Sequence, residues 1–254
     1  MGFNSSIEWT THTFNPWWGC TKVSDGCRNC YAEALSNRYG HSVWGAGKPR
    51  RLMSDAHWQA PLGWNADAKR TSRRARVFCA SMADVFEEGA PPGQLARLWD
   101  LIRLTPNLDW QLLTKRPQRI AESLPPDWAS GYGNVWLGTS VEDQRVINRV
   151  RELSVVPAVV RFLSVEPLLG PIHRLPLKGI DWIIVGGESG PNARPIQAEW
   201  VFDIRRQCRT AGVAFFFKQW GGVNKKKSGR TLSGRIYSEM PKPRRSACTF
   251  SRAA

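Results

Sequence analysis

The chain has 254 residues, of which 42% are apolar, enough for the core of one large domain or two small ones. Lys and Arg number 36 against 21 Asp and Glu, so the formal net charge is +15. This composition excludes wholesale disorder, and no apolar run approaches the roughly 18 residues that a membrane span needs, so we expect no membrane partner. The charge does not determine a fold, but it predicts anionic partners.

The excess positive charge is concentrated in two segments. Residues 48–76 carry a net charge of +6, and residues 218–254 carry a net charge of +9. A neutral body with two basic segments favours binding to nucleic acid, with a solvated, solubilising surface as the alternative. The first segment and its flank also hold Trp44, Trp58 and Trp64, which could stack on unpaired bases or fill the core.

Short apolar runs alternate with helical stretches through the middle of the chain. We predict helices at 94–104, 142–153 and 197–210, the last ended by Gly212. Strands are predicted at 77–81, 110–113, 135–138, 159–163, 182–185 and 213–217, with a seventh at 7–14. This alternation predicts a parallel α/β sheet with right-handed crossovers, and the chain length fits a β/α barrel.

Polar residues follow almost every predicted strand. Because parallel strands end at one edge, we expect Lys115, Glu166, Glu188 and Lys218 on one rim, where β/α barrels place their chemistry. Lys115, Glu166 and Lys218 are the candidate catalytic residues, able to bind or protonate a substrate. Structural ion pairs are the alternative for each of these three.

Three of the six cysteines, Cys20, Cys27 and Cys30, lie close together directly after the first predicted strand. The amino-terminal segment does not read as a secretory signal, so disulfides are not expected. Three thiolates on one loop can hold zinc, with a fourth ligand from His12 or His41. They can also hold a [4Fe-4S] cluster with one iron left open. Such an iron can be chelated by the amine and carboxylate of an amino acid.

The segment FNPWWGCTKVSDGCRNCYAE (14–33) resembles the cluster loop of radical S-adenosylmethionine (SAM) enzymes. More closely, the chain resembles a phage- and bacterium-encoded three-cysteine-motif family allied to them. The resemblance runs nearly end to end through SMADVF (81–86), LLTKRPQR (112–119), VWLGTSVED (135–143), RFLSVEPLLGPI (161–172), IIVGGESGPNARP (183–195) and FFFKQWGG (215–222). It implies a partial (β/α)6 TIM-like barrel of the radical SAM type.

Within that barrel, the resemblance implies a domain over 1–222 that contains a basic insertion at 44–76. A basic extension at 223–254 would follow as a lid or tail. Cys20, Cys27 and Cys30 would ligate the [4Fe-4S] cluster, and SAM would occupy its unique iron. The spacing C-x6-C-x2-C is longer than the common C-x3-C-x2-C.

Further roles follow from the same resemblance. Asn29 replaces the aromatic residue usual before the last cysteine, so Tyr31 is the candidate to pack against adenine. We assign the contact with the SAM amino group to Ser81 or Asp84, because Gly186-Gly187-Glu188 falls on a late strand. Glu188 is then left to the substrate or the far side of SAM. Ser140 and Glu142 are candidates for the ribose hydroxyls, with helix capping as their alternative.

The expected reaction begins with an electron from a donor such as flavodoxin or ferredoxin. SAM is cleaved, and a 5′-deoxyadenosyl radical abstracts hydrogen from the substrate. The predicted substrate is a DNA base, such as an already decorated thymine of phage DNA that is rearranged in the bacterial host cytoplasm. RNA, a nucleotide or another anionic substrate is the second hypothesis, and a non-catalytic, metal-stabilised nucleic-acid-binding protein is the third. Cys79, predicted in the core, could donate a hydrogen atom only if it faces the barrel interior.

Overall fold

Seven parallel strands form one sheet in a computed structural model that describes residues 5–243. The strands are β1 (His12–Phe14), β4 (Ala75–Cys79), β5 (Leu108–Thr114), β6 (Val135–Ser140), β7 (Val160–Val165), β8 (Trp182–Gly186) and β9 (Ala214–Gln219). Each pairs in parallel with the next along the chain, so the sheet winds in one direction. In the described part of the chain β1 and β9 are the edges, and the barrel is therefore partial.

Within residues 5–243, seven helices accompany the sheet: α1 (Tyr31–Arg38), α2 (Asp55–Thr71), α3 (Gln94–Leu104), α4 (Ile120–Ser123), α5 (Asn148–Ser154), α6 (Ala198–Ala211) and α7 (Lys225–Ser228). Two short strands, β2 (Trp17–Trp18) and β3 (Arg51–Leu52), pair in antiparallel fashion beside the barrel. α6 ends at Gly212, which takes the left-handed conformation that the sequence predicted. None of the described helices is long and apolar enough to span a bilayer.

Alternating residues of the strands supply two apolar layers. One layer packs between the sheet and the helices, and the other fills the barrel interior. Trp182 is the centre of the inner layer, where its ring contacts those of Trp9, Trp136 and Phe216. This aromatic plug closes the lower barrel and leaves the carboxyl end of the sheet open for a site.

The predicted fold class, a partial β/α barrel, is confirmed, and all six predicted strands plus the seventh are present. The bounds of the six strands differ from the prediction by at most two residues, whereas β1 begins five residues later than predicted. The predicted helix at 142–153 is instead a 3-10 turn at Gln144–Val146 followed by α5. α1 and α2 were not predicted, and α2 runs through Pro61, a residue that disfavours a helix interior.

α2 divides the first basic segment into two groups of charges. Its 17 residues span about 25 Å between its Ser54 cap and the start of β4. Lys48 and Arg51 precede the helix, whereas Lys69 and Arg70 lie in its last turn, at the amino edge of the sheet. The segment is therefore not one basic surface. Trp58 and Trp64 are also core residues, so the expectation that they stack on bases is wrong.

The carboxy-terminal extension also packs against the barrel in its described part. The Tyr237 ring lies edge-on to Phe215, and the Glu239 carbonyl accepts the Trp182 indole N–H at 2.9 Å. Leu232 is 1% exposed. Truncation from residue 225 would remove these contacts, so a cut that tests the tail alone must follow residue 243.

Candidate cluster and substrate cavity

A cavity of about 890 Å3 lies at the carboxyl ends of the barrel strands. Every residue assigned from the sequence to the cluster, to SAM or to catalysis lines it, except Glu142. These residues are Cys20, Cys27, Cys30, Tyr31, Ser81, Asp84, Lys115, Ser140, Glu166, Glu188 and Lys218. Other walls are apolar and include Trp44, Phe78 and Leu113. The cavity thus combines a sulfur-rich side, a charged rim and an apolar floor.

The three cysteines lie on the cysteine loop, residues 20–30, which joins β2 to α1. Cys27 ends a 3-10 turn and Cys30 caps the first turn of α1, so their positions are set by local backbone structure. Burial raises the pKa of the Cys20 thiol to about 12, and Asp84 and Glu87 act in the same direction. The Arg116 guanidinium opposes this shift, with Nη1 at 3.9 Å from the Cys20 sulfur.

The donor set fits an iron–sulfur cluster. All three thiols are free, partly exposed and on the wall of one cavity. Across residues 5–243 no three His, Cys, Asp or Glu side chains converge on the position of a single ion. A cluster is held by thiolates spread around it, and soft sulfur donors suit iron–sulfur sites.

The candidate catalytic residues fall into two groups on the rim. Lys218 Nζ lies 2.6 Å from Glu166 Oε1, and Gln219 Nε2 donates to Ser189 Oγ at 2.6 Å beside them. Lys115 Nζ donates to Ser140 Oγ at 3.2 Å and lies 3.8 Å from Glu142 Oε1. The structure therefore brings Glu166 and Lys218 together as an ion pair and places Lys115 apart from them.

Asp84 and Glu142 are occupied by the protein itself. The Asp84 carboxylate accepts hydrogen bonds from Thr114, Arg116 and the backbone N–H groups of Phe86 and Lys115. These four donors engage both carboxylate oxygens, and the role of Asp84 as amino-group contact stays a prediction. Glu142 lies behind the cavity wall, 1% exposed, where it accepts from Arg149 and Ser24. A ribose contact is therefore not supported for Glu142.

Ser81, Tyr31 and Ser140 keep polar atoms on the cavity. The Tyr31 hydroxyl donates to the Ser81 carbonyl at 2.8 Å, and Ser81 Oγ bonds to Asn15 at 3.0 Å. The Tyr31 side chain is 54% exposed and forms part of the wall beside Cys30. Of the two candidates for the amino group, Ser81 is thus the one with a free face toward the cavity.

Glu188 lines the cavity and is also bound by the chain. Arg194 contacts both carboxylate oxygens, at 2.5 and 2.9 Å, and Asn29 Nδ2 donates at 2.9 Å. Burial alone would raise the pKa of Glu188, but these hydrogen bonds outweigh it and hold the pKa below its usual value. Glu188 is therefore ionised at neutral pH.

Cys79 faces away from the barrel interior. It is 0% exposed in the layer between the sheet and the helices, whereas its neighbour Phe78 lines the cavity. The condition for a role as hydrogen-atom donor is thus not met. Burial raises its pKa far above the ordinary value, as expected for a core thiol.

Sequence reasoning missed the arginines that surround the cysteine loop. Arg50, Arg116 and Arg194 each pair with a buried carboxylate and touch the loop or its neighbours. Arg116 and Arg194 stand inside two of the quoted motifs, which is the signal that could have found them. Nothing in the sequence shows that their partners lie 6 to 37 positions away.

The Gly187 position gives a direct test of how the rim is built. An added Cβ would lie 2.1 Å from the Trp220 carbonyl oxygen, and a backbone atom cannot easily move. We expect Gly187→Ala to lower stability by about 1–3 kcal/mol, measured by denaturant unfolding. Gly63→Ala is the matched control, because nothing lies within 4 Å of its added Cβ and helix propensity improves. Equal stabilities of the two variants would contradict this packing.

The fold is a partial TIM-like barrel with a parallel sheet. Similar solved structures include a point mutant of spore photoproduct lyase, with a TM-score of 0.50 and 14% identity over 74% of this chain and 58% of that one. A second is spore photoproduct lyase with dinucleoside spore photoproduct, with a TM-score of 0.49 and 15% identity over 74% of this chain and 58% of that one. A third is a double mutant with bound AdoMet and the same dinucleoside, with a TM-score of 0.48 and 12% identity over 73% of this chain and 58% of that one. The chain thus spans 58% of the length of these structures.

The chain belongs to the family described as protein of unknown function DUF5131, which matches residues 4–241. A search of curated proteins finds no match. The family match covers the cysteine loop, the whole barrel and the described part of the extension except its last two residues.

Proposed function

We propose that this protein is a radical SAM enzyme that modifies a base of a nucleic acid, with DNA as the substrate. The observation that carries the proposal is the shared cavity. Three cysteines on one loop and the polar residues at six strand ends line the same space of about 890 Å3. Radical chemistry needs such an enclosed site, because reactive intermediates must be kept from water.

Cys20, Cys27 and Cys30 would hold a [4Fe-4S] cluster on the sulfur-rich side, leaving SAM between the loop and the strand ends. When bound, these groups supply one-electron cleavage of SAM and, through it, abstraction of an unactivated hydrogen atom. The protein supplies binding, orientation and exclusion of water. Tyr31 and Ser81 offer a ring and a hydroxyl to SAM, and Ser140 offers a second hydroxyl.

We assign Glu166 and Lys218 to the substrate. Their ion pair lies on the rim away from Lys115, so both groups can bind polar atoms of a base while the apolar floor takes its ring. The two side chains are only 15% and 19% exposed, so polar atoms of the substrate would have to replace the contacts of the pair as it separates. Lys115, which contacts Ser140 and Glu142, is assigned to either SAM or the substrate.

Charge and fold support a nucleic-acid substrate. The net charge of +15 favours phosphate, and the similar spore photoproduct lyase structures include complexes with a dinucleoside. A base within duplex DNA would have to be flipped out to reach the cavity. The particular reaction we propose is the rearrangement of a decorated thymine in phage DNA, in the host cytoplasm, with flavodoxin or ferredoxin as reductant.

Anaerobic purification with iron and sulfide tests the class of protein. The enzyme should bind about four irons and release 5′-deoxyadenosine from SAM when dithionite is added. A metal-stabilised nucleic-acid-binding protein would do neither, and this result would overturn the proposal. Mass spectrometry of nucleosides from phage DNA, with and without the gene, then tests the substrate. A change confined to RNA or free nucleotides would favour the second hypothesis.

A further inference from the structure

The cysteine loop is held by four buried ion pairs whose carboxylates follow three strand ends. Asp84, Glu87, Glu142 and Glu188 follow β4, β6 and β8, and each is at most 5% exposed. Each pairs with an arginine, in the pairs Asp84–Arg116, Glu87–Arg50, Glu142–Arg149 and Glu188–Arg194. We propose that these pairs fix the loop in its cysteine-presenting shape before any metal binds. This inference rests on the proposed function only for the identity of the metal.

The first half of the loop is held by two of the pairs. Glu87 Oε2 accepts the Thr21 backbone N–H at 3.1 Å while Arg50 binds both Glu87 oxygens at 2.8 and 2.9 Å. Arg116 donates to the Thr21 carbonyl at 2.7 Å and to the Cys20 sulfur at 3.9 Å. Both polar groups of the Thr21 backbone and the neighbouring thiol are thereby tied to strand-end charges.

The second half is held by the other two pairs. Ser24 Oγ donates to Glu142 Oε1 at 2.9 Å, and an added Cβ at Gly26 would lie 2.4 Å from the same carboxylate. Asn29 donates to Glu188 at 2.9 Å, and Arg194 donates to the Asp25 carbonyl at 2.9 Å. The turn that carries Cys27 is therefore clamped on both sides.

The arrangement explains why carboxylates stand at these strand ends. A buried carboxylate is costly unless it is paired and hydrogen-bonded, and removal of one partner leaves the other uncompensated. Here every pair also uses at least one hydrogen bond to anchor the loop, directly or through the arginine. Asp84, Glu87, Glu142 and Glu188 are thus positioning residues for the thiols.

Hydrogen exchange of the full-length, metal-free protein is the test. In the wild type, the Thr21, Cys27 and Arg28 amides donate to Glu87, Ser24 and Asp25, so they should exchange at least 100-fold more slowly than in an unstructured peptide. Glu188→Gln should speed exchange of residues 25–29 at least tenfold and leave the strand amides unchanged. Iron uptake from ferrous iron and sulfide should slow in the same variant.

Asp109→Asn is the matched control, because Asp109 pairs with Arg74 at 2.8 Å at the amino edge of the sheet. It should change neither loop exchange nor iron uptake. Arg194→Ala removes the partly exposed partner and tests the same pair if Glu188→Gln folds poorly. Wild-type loop amides that exchange like a free peptide beside a protected barrel would overturn the inference. Because exchange is read without metal, that outcome is distinct from a failure to cleave SAM.

Discussion

Cys27→Ala should abolish both iron binding and SAM cleavage while the barrel stays folded. The side chain is partly exposed on the cysteine loop and contacts no core cluster, so its loss should cost at most about 1 kcal/mol. Two remaining thiols cannot complete the ligand set of the proposed cluster, and iron content should fall from about four per chain to near zero. Iron analysis, visible absorbance and 5′-deoxyadenosine yield measure the effect.

Cys208→Ala is the control for this experiment. Cys208 is 0% exposed on α6, away from the cavity, so the variant should lose some stability through a small core cavity. Its iron content per folded chain should equal that of the wild type. Iron retained in Cys27→Ala, or lost equally in both variants, would contradict the assignment of the loop cysteines.

The barrel could be predicted because its signal is periodic and local. Each interior strand is buried on both faces and reads as a short apolar run, and β5 through β9 were found this way. α2 was missed because Pro61 and a basic, tryptophan-rich composition obscure its period. The helix forms nevertheless because Trp58 and Trp64 pack into the core, and this tertiary contribution outweighs the local propensity.

The sequence predicts which residues lie at the strand ends on the rim, but not which groups each of them binds. Asp84 and Glu188 lie at the strand ends where the sequence placed them, yet their hydrogen bonds go to arginines and loop groups. A sequence shows that a carboxylate follows a strand, but its partner depends on which distant residue the fold brings within 3 Å. Lys218 and Glu166 illustrate the same point, since 52 positions separate the members of that pair.

Nucleic-acid binding should depend on the three consecutive lysines of α7 and not on the basic residues at the amino edge. α7 carries Lys225, Lys226 and Lys227 and directly follows Gly222 and Val223, which line the cavity. Replacement of the three lysines by alanine should reduce the slope of log K against log salt concentration by about 2 to 3 for duplex DNA, because each released phosphate contact contributes about 0.9.

The matched control removes three positive charges at the carboxyl end of α2, far from α7 in the sequence. Lys69, Arg70 and Arg73 are exposed near the start of β4, so the triple alanine variant should leave the salt slope unchanged. Fluorescence anisotropy with a labelled duplex at several salt concentrations measures both variants. An equal reduction of the salt slope in both variants would show that total charge governs binding. An unchanged slope in the α7 variant would assign the phosphate contacts to other basic residues. The contrast matters for catalysis, because only phosphates gripped beside the cavity bring a base within reach of it.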